Sequence, residues 1–144
     1  MAITGVIIGW RIDAGFGSAL GGFGLLVLFA FAMLWVGTLL GVTARSTDAV
    51  QGVLFMVVFP LTFLSNAFVP AGGLPAGLQA VAEWNPVSIM VAAVRTQFGN
   101  PTALPADAAW PLAHPLPCAV LGCALILALA LPATLWSFRA RTTD

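Results

Sequence analysis

Apolar residues run along the chain in long stretches without a polar face, the pattern of helices that are surrounded by lipid. Spanning an apolar core about 30 Å thick takes about 20 helical residues at 1.5 Å each. Three stretches free of ionised residues reach that length, and they predict membrane spans over 21–42, 49–69 and 116–136. We therefore predict an all-α fold of polytopic membrane helices.

The apolar residues at the very start of the chain form a shorter stretch of fewer than about ten residues, which could cover only about half a bilayer. The segment also lacks the basic leader and the cleavage site of a signal peptide. We interpret it as the trailing end of a spanning helix that begins before Met1. A frayed N-terminus lying at the membrane interface is the alternative.

The segment over about 74–98 is too apolar for a solvated loop and too interrupted for a span. Pro75 suits the first position of a short helix, where a missing N–H costs nothing. Asn85 is a strong N-cap, and Pro86 again takes a first helical position. The pattern predicts an external re-entrant pair of short helices that meet at a sharp break, sheltered by the other helices or lying along the surface. After this pair, the proline-rich residues 99–117 predict an extended connector.

Arginine placement predicts the orientation of the spans. Arg45, Arg139 and Arg141 must lie on one side of the membrane, because the chain crosses twice between the first and the other two. Arg11 and Arg95 lie on the opposite side. Positive residues favour the cytoplasmic side, so we expect a cytoplasmic C-terminus and an external segment over 70–115.

The second predicted span carries an interruption and a polar face. Pro60 deletes a backbone hydrogen bond, so a kink is expected over 56–59. Thr62, Ser65 and Asn66 follow at i, i+3 and i+4 and share one face. In hydrocarbon such groups need partners, either across a helix interface or along a hydrated path, and both interpretations stay open.

Small residues and cysteines complete the pattern of the spans. Small residues four positions apart allow close helix approach in a membrane. The two cysteines, five positions apart, point roughly 140° away from each other on a helix, so no disulfide is expected between them. The small pairs are Gly5 with Gly9, Gly17 with Gly21, Gly37 with Gly41, and Cys118 with Gly122.

Composition excludes several classes of function. Hydrophobic residues make up 60% of the chain and charged residues 7%, against roughly a quarter charged in soluble domains. The chain has no lysine, which excludes a phosphate-binding GxxxxGK[ST] loop and hence an ATPase of its own. A net charge of zero gives no basic surface for nucleic acid. With two Cys, one His and scattered carboxylates, we expect no metal site, no cofactor and no catalytic centre.

One consecutive region resembles the signature of type-2 ABC exporter permeases, and within them the daunorubicin-resistance permease group. The resemblance lies in the run FPLTFLSNAFVP over 59–70, in Leu74-Pro75, in the NPVS run over 85–88 and in Arg95. It extends with lower specificity from Gly9 over almost the whole chain. It singles out as translocation-path or motif residues Pro60, Thr62, Phe63, Ser65, Asn66, Pro70, Pro75, Asn85, Pro86 and Arg95.

The resemblance implies a membrane permease portion of an ATP-driven ABC exporter that moves hydrophobic drugs, lipids or related compounds out of the cell. It further implies an ABC ATPase subunit, a second permease copy and a bacterial inner membrane. Residues 1–144 would then be a single transmembrane domain corresponding to the C-terminal half of such a permease, from a gene fragment, a misplaced start codon or a split subunit. A non-transporting membrane scaffold is the alternative.

Overall fold

The computed structural model describes residues 14–44, 46–65, 75–101 and 108–142. Every regular element within these ranges is a helix, which confirms the predicted all-α class. The helices are α1 Gly15–Thr43, α2 Thr47–Phe63, α3 Ala76–Trp84, α4 Pro86–Gln97, α5 Trp110–Ala113 and α6 Pro115–Thr142.

Helices α1 and α6 are both long and apolar enough to cross a membrane. α1 has 29 residues and α6 has 28, which makes each about 42 to 44 Å long. That length matches a bilayer together with its headgroup regions, about 40–45 Å. The predicted spans 21–42 and 116–136 lie inside these two helices, so the sequence located both and underestimated how far the helical backbone continues at the ends.

Helix α2 covers the first part of the remaining predicted span, 49–69. It begins after Ser46, whose hydroxyl accepts a hydrogen bond from the Ala49 N–H at 3.2 Å, and it ends at Phe63. Its length is about 25 Å, less than the hydrocarbon core of about 30 Å. Residues 66–69, which would complete this span, lie outside the described residues.

The core forms where α1, α4 and α6 meet. Its buried side chains are mostly small, and Ala32 and Ala93 are 0% exposed. Small residues let helix backbones approach closely, which matters in lipid because van der Waals packing replaces the hydrophobic effect between helices. The buried cluster consists of Leu25, Ala32, Met90, Ala93, Ala119 and Cys123.

The close approach of α1 to α4 depends on two adjacent glycines. A Cβ atom at Gly22 would lie 2.6 Å from Phe98 Cε1, and one at Gly21 would lie 3.0 Å from Gln97 Nε2. Of the predicted small pairs, Gly21 lies at this contact, whereas a Cβ atom at Gly17, Gly37, Gly41 or Gly122 would meet nothing within 4 Å. Spacing of four residues selects a face of the helix, but it does not say which face the neighbour covers. Gly5 and Gly9 lie outside the described residues.

The two short helices predicted over about 74–98 are present as α3 and α4. α4 ends in a Schellman motif: Gly99, with φ of 79°, donates to the Thr96 carbonyl, and Asn100 donates to the Arg95 carbonyl. Met90 on α4 and Phe98 just after it are both buried. These contacts fix α4 at both ends of its packed face.

The prediction of an extended connector over 99–117 is wrong for its second half. Trp110–Ala113 forms a short helix, and α6 begins at Pro115. The first N–H groups of any helix lack intrahelical partners. Pro115 and Pro117 therefore cost no hydrogen bond in the first turn of α6. The two cysteines, both on α6, are free thiols, as predicted.

Candidate functional site

The junction between α3 and α4 is a sharp break at a single residue. Asn85 has φ of −67° and ψ of 124°, the extended backbone that a following proline favours. Its Oδ1 accepts a hydrogen bond from the Val87 N–H at 2.9 Å, and Pro86 occupies the first turn of α4. The predicted N-cap and break are therefore confirmed.

The other half of the Asn85 amide contacts a different part of the chain. Its Nδ2 donates to the Leu61 carbonyl oxygen in the last turn of α2, at 2.6 Å. Asn85 is 2% exposed, and a buried amide needs partners for both its oxygen and its nitrogen. One side chain thus caps α4 and binds the end of α2.

The Leu61 carbonyl is available because α2 tightens at its end. In a continuing α-helix it would accept the N–H of Ser65, four residues on. Here that N–H donates to the Thr62 carbonyl at 3.2 Å instead. The last carbonyls of a helix lack intrahelical donors and take partners from elsewhere, and Asn85 supplies one.

Just before this end, α2 departs from regular α geometry. Residues Leu54–Val58 are π-helical, and the α-helical segment Phe59–Phe63 follows with Pro60 in its first turn. Pro60 has no N–H for the carbonyl four residues earlier and its ring crowds that carbonyl, so a widened turn accommodates it. The sequence predicts a kink over 56–59, and at this place the structure has the π-helical turn Leu54–Val58.

The predicted polar face of α2 turns its hydroxyls back onto its own backbone. Thr62 Oγ1 donates to the Val58 carbonyl at 2.7 Å, and Ser65 Oγ donates to the Thr62 carbonyl at 2.6 Å. Ser65 is fully buried and Thr62 is half-buried. Asn66 lies outside the described residues. Such local bonds are one way for a hydroxyl to be hydrogen-bonded in an apolar setting.

An apolar groove of about 290 Å³ follows the irregular part of α2. The Phe59 and Phe63 rings stand 4.7 Å apart beside it. Thr62 is the lining residue with a polar side chain, so a ligand in this groove would be held mainly by apolar contact. The lining residues are Leu54, Phe55, Val58, Phe59, Thr62 and Phe63.

Glu83, one of the carboxylates scattered along the sequence, belongs to the same break. It is 6% exposed; Oε1 accepts from Gln79 Nε2 at 2.8 Å, and Oε2 accepts from the Ala109 N–H at 3.1 Å. The glutamine four residues earlier on the same helix was a sequence signal for this pairing. The bond to Ala109 depends on the tertiary fold and left no signal.

The structure groups some predicted site residues and separates others. Pro60 and Thr62 lie beside the Asn85–Leu61 contact. Pro75 is exposed at the start of α3. Arg95 is in the last turn of α4, about 15 Å along the helix from Asn85, at the end where the helix dipole favours a cation. Pro70 lies outside the described residues.

The described residues hold no group of three or more His, Cys, Asp or Glu side chains able to bind a metal ion. The break instead brings together a buried amide, a buried carboxylate and main-chain groups from three segments of the chain. Its hydrogen bonds join these segments to one another.

The family described as ABC-2 type transporter matches residues 1–98, which include α1 to α4. The daunorubicin resistance ABC transporter permease protein DrrB1 of Streptomyces coeruleorubidus is 36% identical over 91 residues. Those residues are 63% of this chain and 32% of that relative, so the match spans about a third of the relative's length. No solved structure matches the chain.

Proposed function

The chain belongs to the ABC-2 type transporter family, and we propose that it is the permease portion of an ATP-driven ABC exporter of hydrophobic drugs, lipids or related compounds. The observation that carries the proposal is the helix pair α3–α4, broken at Asn85-Pro86 and packed through α4 against two helices able to span a membrane. In this proposal residues 1–144 form one transmembrane domain.

The proposed arrangement has three spans, the second of them over 49–69, and α3–α4 as a re-entrant pair on the outer side. The C-terminus is cytoplasmic and the membrane is the bacterial inner membrane. Support comes from the arginine distribution and from α2, which is apolar but short as described. The broken helix pair supports the re-entrant placement, since exposed backbone at membrane depth needs shelter and the break is buried and hydrogen-bonded.

In the proposed mechanism ATP binding and hydrolysis occur on a separate ABC ATPase subunit, and a second permease copy completes the path. This chain contributes contacts that differ between two conformational states. The α2 groove offers an apolar surface to a hydrophobic substrate, and the π-helical turn before Pro60 is a site where α2 can change its winding. Arg95, Ser65, Asn66 and the other motif residues line or brace the path.

Transport into inverted membrane vesicles tests the proposal. The chain is co-expressed with the ABC ATPase that co-purifies with it, and daunorubicin, named in the relative's title, is the fluorescent probe. ATP-dependent drug uptake is expected for the wild type and for the control Gly24→Ala, whose site is open. Pro60→Ala is expected to lower uptake at equal membrane content. Uptake that is independent of ATP would contradict an exporter.

A membrane scaffold is the second candidate, favoured by the open glycine positions on α1, where Gly37 and Gly41 meet nothing within 4 Å. A scaffold would bind partner membrane proteins without moving a substrate. Co-purification of a permease together with an absence of ATP-dependent uptake would support it over the exporter.

A further inference from the structure

We propose that Asn85 is a positioning residue that couples the end of α2 to the helix pair α3–α4, acting through the Leu61 carbonyl oxygen. The coupling itself is independent of what the chain transports. Its consequence for transport rests on the proposed function.

The side-chain amide of Asn85 binds two helices at once. Oδ1 accepts from the Val87 N–H of α4, and Nδ2 donates to the Leu61 carbonyl of α2, 24 residues earlier in the chain. A planar amide fixes the angle between its oxygen and its nitrogen. The end of α2 therefore takes a defined position relative to the first turn of α4.

Among the described residues, α2 has little other packing. None of its residues is buried, and the large side chains from Leu54 to Phe59 are 44–80% exposed. The part-buried hydrogen bond at 2.6 Å is therefore a principal contact at the end of this helix among the described residues.

The helix pair α3–α4 is also packed against other parts of the chain. α4 buries Ser88, Met90, Ala92 and Ala93, and Glu83 binds the Ala109 N–H ahead of α6. A displacement of the end of α2 is consequently passed to a unit that is itself packed against α1 and α6. The widened turn at Leu54–Val58 gives α2 a place to change shape without breaking the bond.

Three substitutions of Asn85 separate the role of its side-chain oxygen from the role of its side-chain nitrogen. Asn85→Ser keeps a cap for Val87 but is too short to reach Leu61. Asn85→Asp keeps the shape and the cap and replaces the donor by an oxygen that faces the Leu61 carbonyl. Asn85→Ala removes both functions. The serine and aspartate variants thus test the coupling apart from the cap.

Hydrogen exchange of the full chain in lipid nanodiscs gives the structural readout. Loss of one hydrogen bond is expected to raise amide exchange over 59–65 by about fivefold in the serine and aspartate variants, with 86–90 unchanged. The alanine variant is expected to raise exchange in both segments. Wild-type exchange over 59–65 in the serine and aspartate variants would overturn the coupling.

Transport gives the second readout, the number of drug molecules moved per ATP hydrolysed with the co-purified ATPase. Asn85→Ser is expected to lower this ratio at least about threefold while ATP hydrolysis continues, whereas Gly24→Ala leaves it unchanged. If the ratio is unchanged while amide exchange is raised, the contact has only a structural role, and the proposed positioning role is overturned. If the wild type moves no drug, the proposed function fails and the exchange experiment still decides the coupling.

Discussion

Replacing Gly22 by alanine adds a single methyl group, which we expect to push α1 away from α4. A Cβ atom there would lie 2.6 Å from Phe98 Cε1 and 3.1 Å from Phe98 Cδ1 and Cζ, and real Cβ atoms do not approach other heavy atoms that closely. The Phe98 ring is 7% exposed and lies 5.4 Å from the Phe23 ring, so it has little freedom to turn away. Gly22→Ala must therefore move either the ring or the helix.

The expected magnitude follows from comparing this glycine with another on the same helix. Gly24 meets nothing within 4 Å, so Gly24→Ala brings only the gain in helix propensity, up to about 1 kcal/mol. Gly22→Ala brings the same gain together with overpacking, which costs about 1–3 kcal/mol. The difference between the two variants isolates the overpacking, since the propensity cancels. We expect Gly22→Ala to be less stable than Gly24→Ala by about 1–3 kcal/mol.

The assay is unfolding of the full chain in mixed micelles with increasing dodecyl sulfate, followed by circular dichroism. Phe98→Ala supplies a double-mutant cycle, because removing the ring leaves room for the new methyl group. The coupling between the two substitutions should favour the double variant by about 0.5–3 kcal/mol. Equal stability of Gly22→Ala and Gly24→Ala, or additive effects with Phe98→Ala, would refute the close packing of α1 on α4.

Two further predictions concern the ends of the helix pair. Gly99→Ala should lower the free energy of unfolding by about 1–2 kcal/mol, because φ is 79° there and an L side chain is strained in that region; Gly77→Ala, in an open helical site, is the stabilising control in the same micelle titration. Glu83→Ala should leave the Ala109 N–H without its acceptor, destabilise the fold by about 1–3 kcal/mol and speed exchange of that amide. Unchanged Ala109 exchange would contradict the bond.

Local rules were sufficient for two of the three predicted spans and for the break, because each of these is decided by neighbouring residues. A long apolar run without charges predicts a span wherever it occurs, and α1 and α6 follow it. Asn followed by Pro restricts the backbone at that point whatever lies around it, so Asn85 became the cap of α4. The same kind of reasoning misjudged Pro115, because proline breaks a helix in its interior and is tolerated in its first turn.

Contacts between distant segments could not be predicted in this way. Nothing near Leu61 in the sequence indicates that its carbonyl accepts from Asn85, since the acceptor is a main-chain atom that every residue carries. Likewise, Gly22 is one of several glycines on α1, and only the position of Phe98 distinguishes it. Such pairings depend on how three helices pack, and in lipid that packing is decided by shape.

The break concentrates buried polar groups in a chain that has few of them. Glu83, Asn85 and Ser88 are all at most 6% exposed, and an unpaired polar group in such surroundings costs several kcal/mol in lipid. A conformational change at this site must therefore exchange hydrogen-bond partners together and cannot release them one at a time. That requirement makes the helix pair behave as one unit and leaves the widened turn of α2, where the exposed residues are apolar, as the segment that can change shape at low cost.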